Sequence, residues 1–270
     1  MTWSSYFTLD ALNFSRLKHM DDSPKHYKYA LDHPEPETDA MVIGRYVHAA
    51  VFEPDTLDQE FAIWTGARRA GKDWDTFKAE AADRSILRAS DLIDATAMVA
   101  AVRAHPDVRA LLDAPGALFE HTLTWTDEAT GLRCKARPDL LVPRILADLK
   151  TTRSIDVRRF GHDVARFQYH AQLAHYSAGV EAVYGWKPEK HILIVVEKSP
   201  PYDVAVFPVE ADAILTGASK LREWLDTVAA CQESGEWPGR YPNPIPLGAA
   251  NLPPWIFGGG VSEFAFEEPT

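Results

Sequence analysis

Cysteine is nearly absent from this sequence: Cys134 and Cys231 are the only two among 270 residues. Two thiols build neither a disulfide framework nor a four-cysteine zinc or iron–sulfur centre, and they suit a reducing cytoplasm. Long apolar runs are missing too. No stretch reaches the roughly 18 residues of a membrane-spanning helix, and the first residues lack the basic-then-apolar order of a secretion signal. Excess positive charge is also lacking. A net charge of −11 excludes a general nucleic-acid coat, though not a focused channel. Hydrophobic content of 46% and charged content of 25% are those of an ordinary folded chain.

Two acidic positions stand out against this background, Pro138-Asp139 and Asp148-Leu149-Lys150. Both lie in apolar stretches, where an uncompensated carboxylate costs several kcal/mol. The same residues in a turn or on an exposed strand edge would be ordinary solvated groups. A hairpin centred on Pro143-Arg144 sets Asp139 opposite Asp148, with Lys150 on the same face because strand side chains alternate. Pro-Arg is a poor two-residue hairpin turn, so a four-residue loop about the same centre is expected. Carboxylates held together on rigid strands need a cation or a retained proton. Hard oxygen ligands favour Mg²⁺ or Mn²⁺.

Charge is unevenly spread. Between Arg133 and Arg166, nine Lys/Arg stand against four Asp, an excess of five positive charges in an acidic chain. Arg137, Arg153, Arg158 and Arg159 belong to this band, and Arg68, Arg69 and Lys72 form a second cluster in an expected loop. Either cluster alone reads as a solvated surface; beside a metal-type site, they suggest phosphate contacts.

The pattern predicts a mixed α/β protein without internal repeats. Helices are expected over 9–20, from a Thr38 or Asp39 cap to Pro54, over much of 73–105, over 157–184 up to Gly185, and over 211–233. Strands are expected over 118–125, 132–142, from Ile145, and over 191–196 and 203–209. Ser23 to Thr38 reads as a Pro-rich acidic connection. Residues 1–236 are expected to form one domain, helical to residue 115 with a core over 116–236, and 237–270 a Pro/Gly-rich tail. That tail could pack on a neighbouring subunit through Trp255, Ile256 and Phe257.

This order of elements, together with three motifs, resembles the PD-(D/E)XK nucleases of the RecB/RecE-like group, and within it the phage-type exonuclease VIII proteins. The motifs are Gly44-Arg45-Tyr46-Val47-His48 with Glu53-Pro54, then Lys135-Ala136-Arg137-Pro138-Asp139 with Asp148-Leu149-Lys150-Thr151-Thr152, then Gln172 to Tyr176. The resemblance implies a restriction-endonuclease-like α+β core with N-terminal helical additions. It implies one or two Mg²⁺ or Mn²⁺ held by His48, Asp139, Asp148 and the Leu149 carbonyl, with Glu53 and Glu120 as further candidates. Lys150 would orient water, and Gln172 and Tyr176, on one helical face, would contact DNA or support the site. The implied activity is 5′-to-3′ hydrolysis of linear duplex DNA, leaving 3′ overhangs for a single-strand annealing protein. A subunit ring and a phage- or prophage-encoded enzyme in a bacterial cytoplasm are implied with it. Rival readings are an end-cutting or structure-specific endonuclease of the same fold and a non-catalytic DNA-binding protein.

Overall fold

The computed structural model describes residues 6, 8–241, 243–247, 251–253 and 256. Its centre is a mixed five-stranded sheet whose strands lie side by side in the order Leu118–Phe119, Leu140–Val142, Ile145–Thr152, Lys190–Glu197, Val204–Val209. Two short parallel strands precede it in the chain, β1 (Phe61–Trp64) and β2 (Ser85–Arg88). Leu118–Phe119 (β3), Leu140–Val142 (β6) and Ile145–Thr152 (β7) pair antiparallel. Lys190–Glu197 (β8) runs parallel to β7, and Val204–Val209 (β9) returns antiparallel. Leu123–Thr126 (β4) and Arg133–Ala136 (β5) make a separate two-stranded ribbon.

Helices cover both faces of this sheet, so its central strands read as nearly continuous apolar runs. The N-terminal part supplies α1 (Pro24–Asp32), α2 (Asp39–Phe52), α3 (Lys72–Ala81), α4 (Ala89–Ala104) and α5 (Pro106–Leu112). Val47, Val51 and Phe52 of α2 and Ala95, Met98 and Val102 of α4 pack on Ala147, Leu149, Ile192 and Ile194. The crossover from β7 to β8 carries α6 (Val157–Phe167) and α7 (Tyr169–Tyr184). On this second face Phe160, Leu173 and Val180 meet Leu146, Leu193 and Val195. Leu149 is fully buried, and Leu149→Ala should cost about 2–5 kcal/mol. From Ile145 to Lys150 of β7, Asp148 and Lys150 are the two residues that interrupt the apolar pattern, and both belong to the face that α7 covers.

The last helix, α8 (Ala211–Ser234), lies against α7 so closely that a Cβ on Gly217 would stand 2.5 Å from the His170 carbonyl oxygen. Trp224, Leu225 and Val228 of α8 join Phe14, Leu17 and Tyr27 in a further core. The N-terminal segment is tied down by Lys135, whose buried ammonium donates to the carbonyls of Tyr6 (2.8 Å) and Leu9 (2.7 Å). No helix of the described residues is long and apolar enough to cross a membrane. Trp255 and Phe257 lie outside the described residues; Ile256 is exposed.

Several boundaries differ from expectation, each for a local reason. The hairpin register is the expected one, Leu140↔Ala147 to Val142↔Ile145, but the turn is only Pro143-Arg144. Arg144 takes φ 67°, and its carbonyl accepts from Glu189 and Lys190 N–H groups, which hold the tight turn. The supposed connection after Ser23 contains α1: Ser23 Oγ accepts from the His26 N–H at 3.2 Å, and Pro24 follows the cap. The expected helix over 9–20 shrinks to Phe14–Leu17 and a 3₁₀ turn. Strand β2 splits the helix expected over 73–105. Gln168, at φ 59°, divides 157–184 into α6 and α7. Thr38 does cap α2, its Oγ1 accepting from the Met41 N–H.

Candidate active site

The site forms where the ribbon between residues 118–126 and 133–142 breaks. Its pairing is the same on either side, Phe119↔Leu140 and Leu123↔Ala136. Between them Glu120 adopts φ 45° and donates its N–H to the Asp139 carbonyl at 3.0 Å, while His121 N–H reaches Pro138 O at 3.3 Å. Pro138 has no N–H to continue a ladder. Helix α2 delivers His48 to this break, with Nδ1 3.1 Å from Asp139 Oδ2. The same Asp139 oxygen accepts the Leu149 N–H at 2.6 Å. One possible ligand atom from each of His48, Glu120 and Asp139 lies within 4.8 Å of the others.

Beside this trio stands a second, polar cluster. Lys150 Nζ lies 2.5 Å from Asp148 Oδ2. It also donates to Gln172 Oε1 at 3.0 Å and lies over the Tyr169 ring. Gln172 Nε2 donates to Asp148 Oδ1 (3.1 Å) and to the Tyr176 hydroxyl (2.8 Å). One turn separates Gln172 from Tyr176 on α7, so both face β7. Asp148 therefore stands next to the trio, its oxygens turned to Gln172 and Lys150.

Electrostatics follow from burying five ionisable groups side by side. Burial alone would lower the His48 pKa, but the charge and hydrogen bond of Asp139 push it up to about 9. Burial, then Asp139, raise Glu120 to about 8 and Asp148 to about 6. Asp139 stays below the usual carboxylate range despite its burial, held ionised by His48, Lys150 and the Leu149 N–H. Burial opposes the Lys150 charge, yet Asp148, Tyr169 and Asp139 keep its pKa above that of an ordinary lysine. Without a metal, then, Asp139 favours the imidazolium form of His48, and burial beside Asp139 opposes full ionisation of Glu120. Glu120 Oε1 is buried without a hydrogen-bond partner. A nitrogen and carboxylate oxygens converging around that orphan atom suit a divalent cation.

Other expected site residues lie elsewhere. Arg137 is no phosphate clamp: its side chain is 2% exposed and pairs with Glu120 and Glu53. Glu53 follows the last residue of α2, turned to that guanidinium at 2.7 Å. Arg69 is occupied as well, bonded to Asp39 and to the Ile86 carbonyl and placed over Trp74. Arg68, Lys72, Arg153, Arg158 and Arg159 are exposed. His175 is buried, its Nε2–H donates to the Lys135 carbonyl, and burial lowers its pKa to about 4. Two neighbours were not anticipated. Tyr169 enters because the left-handed Gln168 starts α7 just ahead of it. Tyr6 is buried, bonds to the Asn13 side chain and feels the charges of Arg137 and Glu120; its distance along the chain left no signal.

A family model described as a PDDEXK-like domain of unknown function (DUF3799) matches residues 13–242, and the chain belongs to that family. No curated protein matches the sequence. The crystal structure of a protein designated "Putative exonuclease" from Eubacterium rectale superposes with a TM-score of 0.61 at 13% identity. The match covers 97% of this chain and 99% of that one. The crystal structure of SSO0001 aligns over 84% of this chain and 88% of its own at 15% identity, with a TM-score of 0.32.

Proposed function

We propose that this PDDEXK-like chain is a metal-dependent exodeoxyribonuclease, hydrolysing phosphodiester bonds from the ends of linear duplex DNA in the 5′-to-3′ direction. The observation that carries the reading is the convergence of His48, Glu120 and Asp139 beside an Asp148–Lys150 pair on one strand of this fold. The designation of the Eubacterium rectale neighbour agrees with it. His48, Asp139 and Glu120 would hold Mg²⁺ or Mn²⁺, with Asp148 and the Leu149 carbonyl completing the set. When bound, such a cation supplies Lewis-acid stabilisation of a phosphoryl oxygen and lowers the pKa of a coordinated water.

The chain's own residues then have separable tasks. Lys150 stays protonated throughout the neutral range, so it acts as a cation and donor, offsetting charge that develops on the phosphate, and not as a base. Gln172 fixes both ends of the Asp148–Lys150 pair, and Tyr176 fixes Gln172. Arg153, Arg158 and Arg159, exposed just beyond β7, contact phosphates outside the cleft. The product would be a 3′ overhang suited to a single-strand annealing protein. Calorimetric titration with Mn²⁺, followed by incubation with linear and with circular duplex DNA, tests the proposal. Metal binding with degradation of the linear form alone is expected. Cutting of circles would move the reading to an endonuclease, and binding of DNA without metal uptake or cleavage to a non-catalytic protein.

A further inference from the structure

Two elements far apart in sequence must be held together for His48 to meet Glu120 and Asp139. Helix α2 carries the histidine; the strand break carries the two acids. Arg137 is the side chain that spans them. Its Nε donates to Glu120 Oε2 at 2.9 Å and its Nη2 to Glu53 Oε2 at 2.7 Å. Glu53 closes the end of α2, little more than one turn beyond His48, and Glu120 is the left-handed residue of the break. The arginine side chain is 2% exposed and Glu120 1%, against 25% for Glu53.

From this geometry we infer that Arg137 is the positioning residue of the site, its guanidinium clamping the end of α2 to the strand break so that the three ligand side chains stand converged. The inference rests on the metal reading proposed above. A guanidinium suits the task because its planar fork addresses two carboxylates on two elements at once; a lysine ammonium is a compact, strongly hydrated point charge. Glu120 gives one oxygen to the fork, which fixes its carboxylate plane and leaves buried Oε1 without a hydrogen bond. Supporting residues of this kind orient ligands, and their loss typically weakens metal binding roughly 10- to 100-fold. The fold itself has a second tie at the same place. Arg103 of α4 donates to the carbonyls of Ala50 and Val51 at 2.9 Å each, so α2 stays docked when Arg137 is changed conservatively.

The test compares wild type, Arg137→Lys, Glu53→Gln and the double variant by Mn²⁺ calorimetry and by thermal melting in chelator. Each single variant should bind Mn²⁺ roughly 10-fold or more weakly. The double variant should be little worse than either, because both changes release the same clamp. A purely structural Arg137 would lower the melting temperature and leave the affinity of the folded protein unchanged, which overturns the inference. Tighter binding by Arg137→Lys also overturns it, since Glu53 would then be a ligand that the arginine restrains. So does an unchanged isotherm with a shallower salt dependence of DNA binding, the mark of a phosphate contact. If wild type takes up no Mn²⁺, the metal reading fails and this inference with it; if only the variants match wild type, the metal reading stands alone.

Discussion

His48 and Asp139 meet at 3.1 Å although one belongs to a helix and the other to a strand break much later in the chain. Their contact is an ion pair when no metal is present, because Asp139 holds the imidazole pKa up to about 9. A ligand that starts as a cation must lose its proton before it can bind another cation.

The first prediction is therefore about pH. His48 moves from an ordinary 6.5 to about 9, and Glu120 from 4.5 to about 8. Both pKa values are raised in the folded state. The stability they contribute is fully present below the unfolded values and is lost as pH rises through about 8 and 9. Asp139, with its lowered pKa, acts in the opposite sense only at acid pH. The metal-free protein should thus melt progressively lower from pH 6.5 to 9, while Mn²⁺ affinity rises over the same interval. His48→Ala should flatten much of both trends. The window reaches to higher pH than the roughly 5.5–7.5 over which a free imidazole titrates, because Asp139 raises the His48 pKa. Melting curves in chelator that stay level across this range would contradict the assignment.

Asp148→Ala and Lys150→Ala should each reduce cleavage about 10²-fold or more. Their consequences for folding differ. Asp148 is buried with a raised pKa and is repelled by Asp139, while Lys150 still has the Asp139 charge nearby when Asp148 is removed, so the metal-free alanine variant should melt closer to wild type than Lys150→Ala does. Lys150→Ala leaves Asp148 without its ammonium and should melt lower. Gel assays on linear duplex and melting in chelator, done on the same preparations, separate the two. Near-normal cleavage by either variant would remove that residue from the reaction.

Gln172 offers a narrower test. It donates to Asp148 and Tyr176 and accepts from Lys150. Replacing it with leucine of similar size strands those partners and should slow turnover by about 10-fold or more. Mn²⁺ affinity should fall less than turnover, since Gln172 reaches the metal set only through Asp148 and touches none of the His48, Glu120 and Asp139 trio. Equal losses of metal affinity and rate would show that the two clusters are one unit.

What the sequence disclosed, and what it hid, follows from where each signal resides. Asp139, Asp148 and Lys150 were visible because polar residues interrupt strands otherwise buried on both faces, and the register about Pro143-Arg144 followed from the same alternation. His48 was visible only through resemblance, since a lone histidine on a helix carries no local mark. Glu120 ranked as a secondary candidate because the break that aims it uses a left-handed glutamate where a glycine would have announced the turn. Arg137 was misread because a count of charges treats every arginine as solvated. Helix α1 was obscured by Pro34 and Pro36 downstream, although Ser23-Pro24 is itself a helix start.

The final prediction concerns the surface. Of the basic residues between Arg133 and Arg166, Lys135 and Arg137 are buried, and Arg144 pairs with Glu189 at the hairpin tip. The band left for a polyanion is narrower than the composition suggested, and it centres on Arg153, Arg158 and Arg159, exposed at the end of β7 and the start of α6. Neutralising Arg158 and Arg159 together should lower the slope of log affinity against log salt by up to about two, at roughly 0.9 per phosphate contact on B-DNA. The loss should be the same for every duplex sequence, because contacts to phosphates carry no base information. Arg137→Lys should leave that slope unchanged, since its side chain is closed off from solvent. A double Arg158/Arg159 variant whose slope equals that of wild type would place the DNA path on another face of the protein.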